Sequence, residues 1–298
     1  MTRLERFGWQ GAVEPGVGRV VSAHGDYYHL VCNEAEGEIL ARKKKSAFAH
    51  GKPSFAQTQQ NSAAVQKCVR NSVADAAPLP MTGDFVRFRY NDRGDSMITE
   101  VLPRFSHFER KDPTARRASQ TLAVNFHTLF IMMSLTENFS LPRLERFLGL
   151  AEDMGDAEAV VVLTKRDLAG DGADDLRRAA EGLASCASRP VVSVSAVTGA
   201  GLDALAPYLQ PRRTVAFIGS SGVGKSTLLN RLAGAEWQAT QEIQEWSGKG
   251  RHTTTSRELV MLPDGVMIVD TPGIREIGRV GEEDELLVKG ESTHRYRK

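Results

Sequence analysis

Residues 219–226 read Gly219-Ser220-Ser221-Gly222-Val223-Gly224-Lys225-Ser226, which fits G-x-x-x-x-G-K-[ST] at every constrained position. The apolar run 214–218 precedes it, and residues 227–232 continue with helical spacing. Strand, glycine-rich loop and helix in that order make a phosphate cradle. The glycines let backbone N–H groups wrap an anion, and the helix start adds a favourable dipole. Lys225 is expected to reach the β- and γ-phosphates, and the Ser226 hydroxyl to ligate Mg²⁺. With Thr227, the whole loop is the expected phosphate-binding set.

Downstream, Met267-Ile268-Val269-Asp270-Thr271-Pro272-Gly273 reads as a strand ending in a carboxylate, 44 residues after Ser226. Asp270 is expected near the Mg²⁺ site, and Gly273 is expected to turn its N–H toward the γ-phosphate. Between the two motifs lies Gly248-Lys249-Gly250-Arg251-His252-Thr253-Thr254-Thr255. One threonine of 253–255 is the expected second hydroxyl on Mg²⁺, with Thr254 the candidate, in a loop that orders only with the γ-phosphate.

Upstream, Thr164-Lys165-Arg166-Asp167 follows the apolar strand 159–163 and resembles the guanine motif Asn-Lys-x-Asp. A carboxylate accepts both the ring N–H and the exocyclic amine of guanine, whereas adenine presents the wrong pattern. Lys165 is expected along the base plane. Ser195 and Ala196 follow the strand 191–194, where a backbone N–H is placed to meet guanine O6. The order of these parts is informative. In ordinary small GTPases the phosphate loop comes first and the guanine motifs last; here 164–167 and 195–196 precede 219. The domain reads as circularly permuted.

The rest of the chain divides around that domain. Its 298 residues suit two domains of ordinary size, and 41% hydrophobic content is enough for a core. Lys and Arg total 38 against 37 Asp and Glu, so any nucleic-acid contact must come from a local patch. The three cysteines have no metal or disulfide spacing, which points to free thiols in a reducing compartment. No stretch resembles a signal peptide or a membrane span, so a cytoplasmic protein with no membrane partner is expected. Residues 1–105 show about five short strands with glycine-rich turns, near 16–23, 27–32, 38–41, 84–90 and 97–101, which suits an OB-fold barrel. Residues 52–80 read as a long loop and 106–120 as a basic linker. In the domain 121–278, residues 122–135, 159–163, 191–194 and 214–218 read as strands, and 141–154, 173–187 and 202–209 as helices. Alternating strands and helices imply a parallel α/β sheet with its site at the carboxyl ends of the strands.

With these residues the chain resembles the RsgA (YjeQ) family of small-ribosomal-subunit biogenesis GTPases, as far as about Gly278. The resemblance rests on Gly-Val-Gly-Arg-Val at 16–20, Leu-Pro-Arg-Leu-Glu-Arg-Phe at 141–147, Val-Leu-Thr-Lys-Arg-Asp-Leu at 162–168, Ser-Ala-Val-Thr-Gly-Ala-Gly-Leu at 195–202, and 248–256. It implies an OB-fold that contacts 16S rRNA, a monomeric GTPase stimulated by the small (30S) subunit, and a role late in subunit maturation. It makes Thr164 a tolerated variant of the usual Asn. Ile274 stands where many GTPases carry a water-positioning Gln, so slow intrinsic turnover is expected, with His252 the candidate for positioning water. The run Arg42-Lys43-Lys44-Lys45 is expected to neutralise rRNA phosphates from an OB loop, with Arg87, Arg89 and Arg104 on nearby surface. The family continues into a helical zinc domain. No cysteine follows Cys186 here, so zinc is expected of the family without a ligand set in this sequence, and 279–298 reads as a charged stub. That ending leaves an alternative: a GTP-switched RNA-binding factor with little turnover.

Overall fold

The computed structural model describes residues 1–48, 78–110, 120–170, 172–234 and 258–270. Near the N-terminus the strands mix buried and exposed positions, as a barrel wall must. β1 (Val17–His24), β2 (Tyr27–Cys32), β3 (Ile39–Lys43), β4 (Phe85–Arg89) and β5 (Ser96–Val101) pair in the order β1-β2-β3-β5-β4, and β4 returns to β1. The circuit closes a five-stranded barrel with OB-fold pairing, including the parallel β3–β5 step. In β4, Phe85, Val86 and Phe88 are buried while Arg87 and Arg89 are exposed, the alternation a one-sided core demands. Val20, Leu30, Val86, Phe88 and Ile98 fill the barrel.

Strands further along are buried on both faces. β8 (Thr128–Ser134) is buried at all seven positions, and β9 (Glu158–Thr164) at all but its first. Such continuous apolar runs belong to parallel strands covered by helices. β10 (Val191–Ser193), β9, β8, β11 (Thr214–Gly219) and β13 (Met267–Asp270) lie in that order and run parallel. β12 (Glu258–Met261) pairs antiparallel outside β13. Alternate residues of β8 serve opposite cores. Leu129, Ile131 and Met133 pack with Leu144 and Phe147 of α2 (Leu141–Leu150) and with Ala180 and Ala184 of α3 (Ala173–Cys186). Phe130 and Met132 pack with Leu205 and with Leu228 of α4 (225–234). Helices therefore cover both faces, and β9, β11 and β13 all end on one side of the sheet. At α2, Ser140 caps the first turn by accepting from the Arg143 N–H, and Pro142 sits where no N–H is needed.

Three segments differ from the reading of the sequence. Residues 122–135 are two strands. β7 (Gln120–Val124) ends at Asn125, whose φ of 52° breaks the run before β8 begins. The segment read as a linker contains β6 (His107–Arg110), which pairs antiparallel with β7. Residues 202–209 form only a short 3₁₀ turn, Leu202–Leu205, after Gly201 at a φ of 75°. An unanticipated one-turn helix, α1 (Arg3–Arg6), opens the chain with a capping box between Thr2 and Glu5.

Barrel and α/β domain meet along the β12 edge of the sheet, and the side chain of Arg19 reaches from β1 to the amino ends of β11 and β13. β1 pairs with β12 at Ser22 and Glu258, which joins eleven strands of the described residues into one sheet. Beneath that junction the Arg19 side chain is fully buried, over the ring of Phe85 with 4.8 Å from Cζ to its centroid. Burial lowers its pKa to about 9 against the neighbouring charge of Asp84. Asp84, also buried, accepts from Arg104 Nε and Nη2 at 2.8 Å each. His127 and Thr214 exchange two bonds: His127 N–H donates to the Thr214 carbonyl (2.7 Å), and Thr214 N–H donates to His127 Nδ1 (3.0 Å).

Candidate nucleotide site

The phosphate loop forms because β11 ends at a residue with no room for a side chain. A Cβ on Gly219 would lie 2.9 Å from the Met132 carbonyl oxygen of the neighbouring strand. Gly222 and Gly224 then take φ of +73° and +97°, a conformation L side chains rarely adopt, and the chain enters α4 at residue 225. Val223 is the loop's inward anchor, 3% exposed in the core beneath it. The result is a cleft of about 420 Å³ lined by Lys165, Gly219, Ser220, Ser221, Gly222, Val223, Gly224, Lys225, Ser226 and Thr227. Backbone donors, a helix N-terminus and Lys225 share this cleft, which is the chemistry of an anion cradle.

Thr164, the last residue of β9, occupies the place read as an Asn variant. It is buried, and its hydroxyl lies 2.6 Å from the Val223 carbonyl and 3.2 Å from that of Met133. The shorter bond ties the guanine motif to the phosphate loop, so the position keeps a polar link to that loop without an amide. The contact spans 59 residues of sequence, and no local pattern signals it. The next residue, Lys165, has a φ of 57°, and its side chain lines the cleft. A left-handed non-glycine residue costs energy and persists where surroundings enforce it, often at a binding site.

The two guanine motifs are interlocked. Ser195, fully buried, donates from its hydroxyl to Asp167 Oδ1 at 2.5 Å, and the same oxygen accepts from the Thr198 N–H at 3.1 Å. Arg166 N–H donates to the Val194 carbonyl at 3.2 Å. Ser195 thus fixes one carboxylate oxygen of Asp167. Ala196 is half-buried in the same turn. Asp270 ends β13, beside β11, and its backbone runs parallel to the strand that delivers the loop. The Asp270 side chain and residues His252, Thr254 and Gly273 lie outside the described residues, as do 279–298 and most of 52–80.

Among the described residues no group of three or more His, Cys, Asp or Glu is placed to hold a metal ion. A hydroxyl and a carboxylate, Ser226 and Asp270, are hard oxygen donors that suit Mg²⁺, a cation that keeps water and phosphate oxygens as its remaining ligands.

The basic run on the barrel is positioned differently from its reading. Arg42 and Lys43 belong to β3, within the barrel wall. Arg42 pairs with Asp95 at 2.5 Å and lies over Tyr27, 4.3 Å from its ring centroid, while Lys43 pairs with Asp26 at 2.9 Å. Lys44 is half-buried, and the side chain of Lys45 is not described. Arg87 is paired with Glu14 and Glu100. Arg104 is not a surface residue: its partner is the buried Asp84. Of the nearby aromatics, Tyr28 and Phe88 are core, and Tyr27 is 40% exposed. No described helix is long and apolar enough to cross a membrane.

Comparison with known proteins gives one consistent answer. A chain described as YjeQ from Thermotoga maritima superposes with a TM-score of 0.55 over 88% of this chain and 76% of its own, at 24% identity, and shares the fold. The small ribosomal subunit biogenesis GTPase RsgA 2 of Lactiplantibacillus plantarum is 40% identical over 261 residues, covering 88% of this chain and 66% of that protein. RsgA of Methanosarcina acetivorans is 40% identical over 275 residues, covering 90% of this chain and 73% of that protein. This chain therefore spans about two thirds to three quarters of the length of these relatives. The model of the RsgA GTPase family matches residues 101–280, the span holding the phosphate loop, both guanine motifs and Asp270. On the permuted order of those motifs, the barrel before them and these matches, the chain belongs to the RsgA GTPase family.

Proposed function

We propose that this chain binds GTP in the cleft of residues 219–227, hydrolyses it to GDP and phosphate, and serves biogenesis of the small ribosomal subunit. The observation that carries the reading is the double link Thr164–Val223 and Ser195–Asp167. It joins a guanine-reading carboxylate to a phosphate cradle through two buried hydroxyls. Backbone N–H groups of 220–226 and Lys225 take the phosphates, and Asp167 takes the guanine N–H groups. The Ser226 hydroxyl and the Asp270 carboxylate, with Thr254 as the further hydroxyl, would hold Mg²⁺, which would supply neutralisation of the phosphate charge. The Gly273 N–H meets the γ-phosphate and His252 positions the water.

The partner reading rests on the names of the relatives and on the barrel. The barrel contacts 16S rRNA through Tyr27 and Arg42–Lys45, and the protein works as a cytoplasmic monomer. Because Arg42 and Lys43 already have acidic partners, phosphates must compete for them, and charge reversal there is expected to lower RNA affinity and its salt dependence modestly. The deciding experiment is phosphate release from GTP with and without purified small subunits, beside the same assay with ATP. Stimulated GTP turnover and no ATP turnover are expected. Tight GTP binding without stimulation would move the chain to the switch-like alternative, which the aliphatic Ile274 already favours for the isolated protein. Equal use of ATP would remove the guanine reading.

A further inference from the structure

Arg19 sits in the barrel strand β1, yet its guanidinium reaches five different segments. Its Nε donates to the Gly83 carbonyl at 3.3 Å. Nη1 donates to the Phe7 carbonyl at 2.6 Å and contacts Met267 Sδ at 3.2 Å. Nη2 donates to the Asn125 carbonyl and to Thr214 Oγ1, both at 2.9 Å. Five donors thus meet five partners, which exhausts the hydrogen-bonding capacity of the side chain. The polar acceptors around it include Thr214, itself fully buried.

Two of these partners are special. Thr214 is the first residue of β11 and Met267 the first of β13, and they face each other in the parallel register. The carboxyl ends of the same two short strands are Gly219, where the phosphate loop begins, and Asp270, the residue proposed above to hold Mg²⁺. A single planar fork therefore fixes the relative level of both strands at their starts. A strand is stiff along its length and rises about 3.3 Å per residue, so a shift at the start arrives at the end largely undiminished. Lysine, with three donors on one atom, cannot bridge five segments.

We propose that Arg19 is a positioning residue for the nucleotide site: from the barrel, it holds β11 and β13 in the register that aligns the phosphate loop with Asp270. The proposal deepens the GTPase reading and rests on it for its consequence, though the alignment itself does not require nucleotide. It assigns the barrel a task inside the α/β domain besides any contact with RNA.

The test uses the full chain and Thr214→Val, which removes one of the five bonds, with Met267→Leu as a volume-conserving companion and Arg19→Lys as the broader lesion. Two readouts are compared with thermal melting: hydrogen exchange of amides 219–226 without nucleotide, and affinity for GDP·Mg²⁺. Thr214→Val is expected to melt within a few degrees of the parent, to exchange faster through 219–226, and to bind GDP roughly tenfold more weakly. Met267→Leu is expected to show a smaller effect of the same sign, and Arg19→Lys a larger one. Faster exchange confined to residues near the junction, with the loop and GDP affinity as in the parent, would overturn the proposal and leave Arg19 as adhesive between domains. If the parent chain binds no GDP, the exchange result alone decides the alignment, and it is the functional reading that fails.

Discussion

The two ends of the parallel sheet treat their polar groups in opposite ways. At the carboxyl ends, Lys165 and the loop 219–227 line an open cleft, Thr164 is buried against Val223, and Asp167 has one oxygen held by Ser195. At the amino ends, Arg19, Asp84, Asn125 and Thr214 are buried and satisfy one another. Both ends are rich in groups that cost energy to desolvate. One end gathers them around a cleft, and the other consumes them in joining two domains. An open end is judged by what it binds and a closed end by what it holds together, so mutations at the two should separate affinity from stability.

The sharpest break of that contrast is Asp84→Ala at the closed end. Asp84 has no bond to β11 or β13, and its loss leaves Arg104 without its carboxylate. Stability is expected to fall by about 3 kcal/mol while GDP affinity of the folded protein is kept. Denaturant unfolding beside calorimetric GDP binding checks it, and a parallel loss of affinity would collapse the distinction. At the open end, Lys225→Ala is expected to weaken GDP binding by at least about a hundredfold, or roughly 2.7 kcal/mol, with melting unchanged. Retained affinity would remove the phosphate-loop argument.

A smaller effect is expected from Thr164→Val, which deletes the 2.6 Å bond to the Val223 carbonyl and should cost about tenfold in GDP affinity. Thr164→Ser should restore it, and a Ser variant as weak as Val would refute the hydroxyl's role. The mildest effect concerns pH. Burial first, then Arg213 and Arg19, hold His127 down to about 4, against about 6.5 in an unfolded chain. The unfolded state therefore takes up the proton first as pH falls. The contribution to stability is full above about pH 6.5 and is lost progressively toward pH 4, by about 1–2 kcal/mol once solvent screening of this partly exposed ring is allowed for. His127→Gln should flatten the slope of stability against pH across that window, and an unchanged slope would exclude His127 as its source.

What the sequence made legible was local. The phosphate loop, Thr164–Asp167 and Ser195–Ala196 are contiguous strings whose chemistry follows from their own residue types, and their order along the chain revealed the permutation. The barrel strands announced themselves through alternation and glycine turns. The failures depend on distant partners. Arg104 looked like surface because nothing nearby shows that Asp84, 20 residues away, is buried against it. The break at Asn125 was hidden because 122–135 is apolar almost throughout, and only its left-handed backbone ends the strand. The run Arg42–Lys45 reads as an RNA-facing loop, and its own residues do not show that Arg42 and Lys43 lie in β3 with Asp95 and Asp26 as partners. A side chain whose meaning is set by another strand cannot be read from its own.

The closed barrel at one side of the sheet also governs how the molecule behaves toward its neighbours in a crowded solution. A long sheet offers two lateral borders, each a row of unpaired backbone groups on which a foreign strand can grow. Here β4 returns to β1 and removes one border altogether. At the other, the last described strand is β10, only three residues long. A template of that length pairs too little backbone to recruit another chain, so among the described residues neither the closed barrel nor the short β10 border offers a long edge on which misassembly can begin.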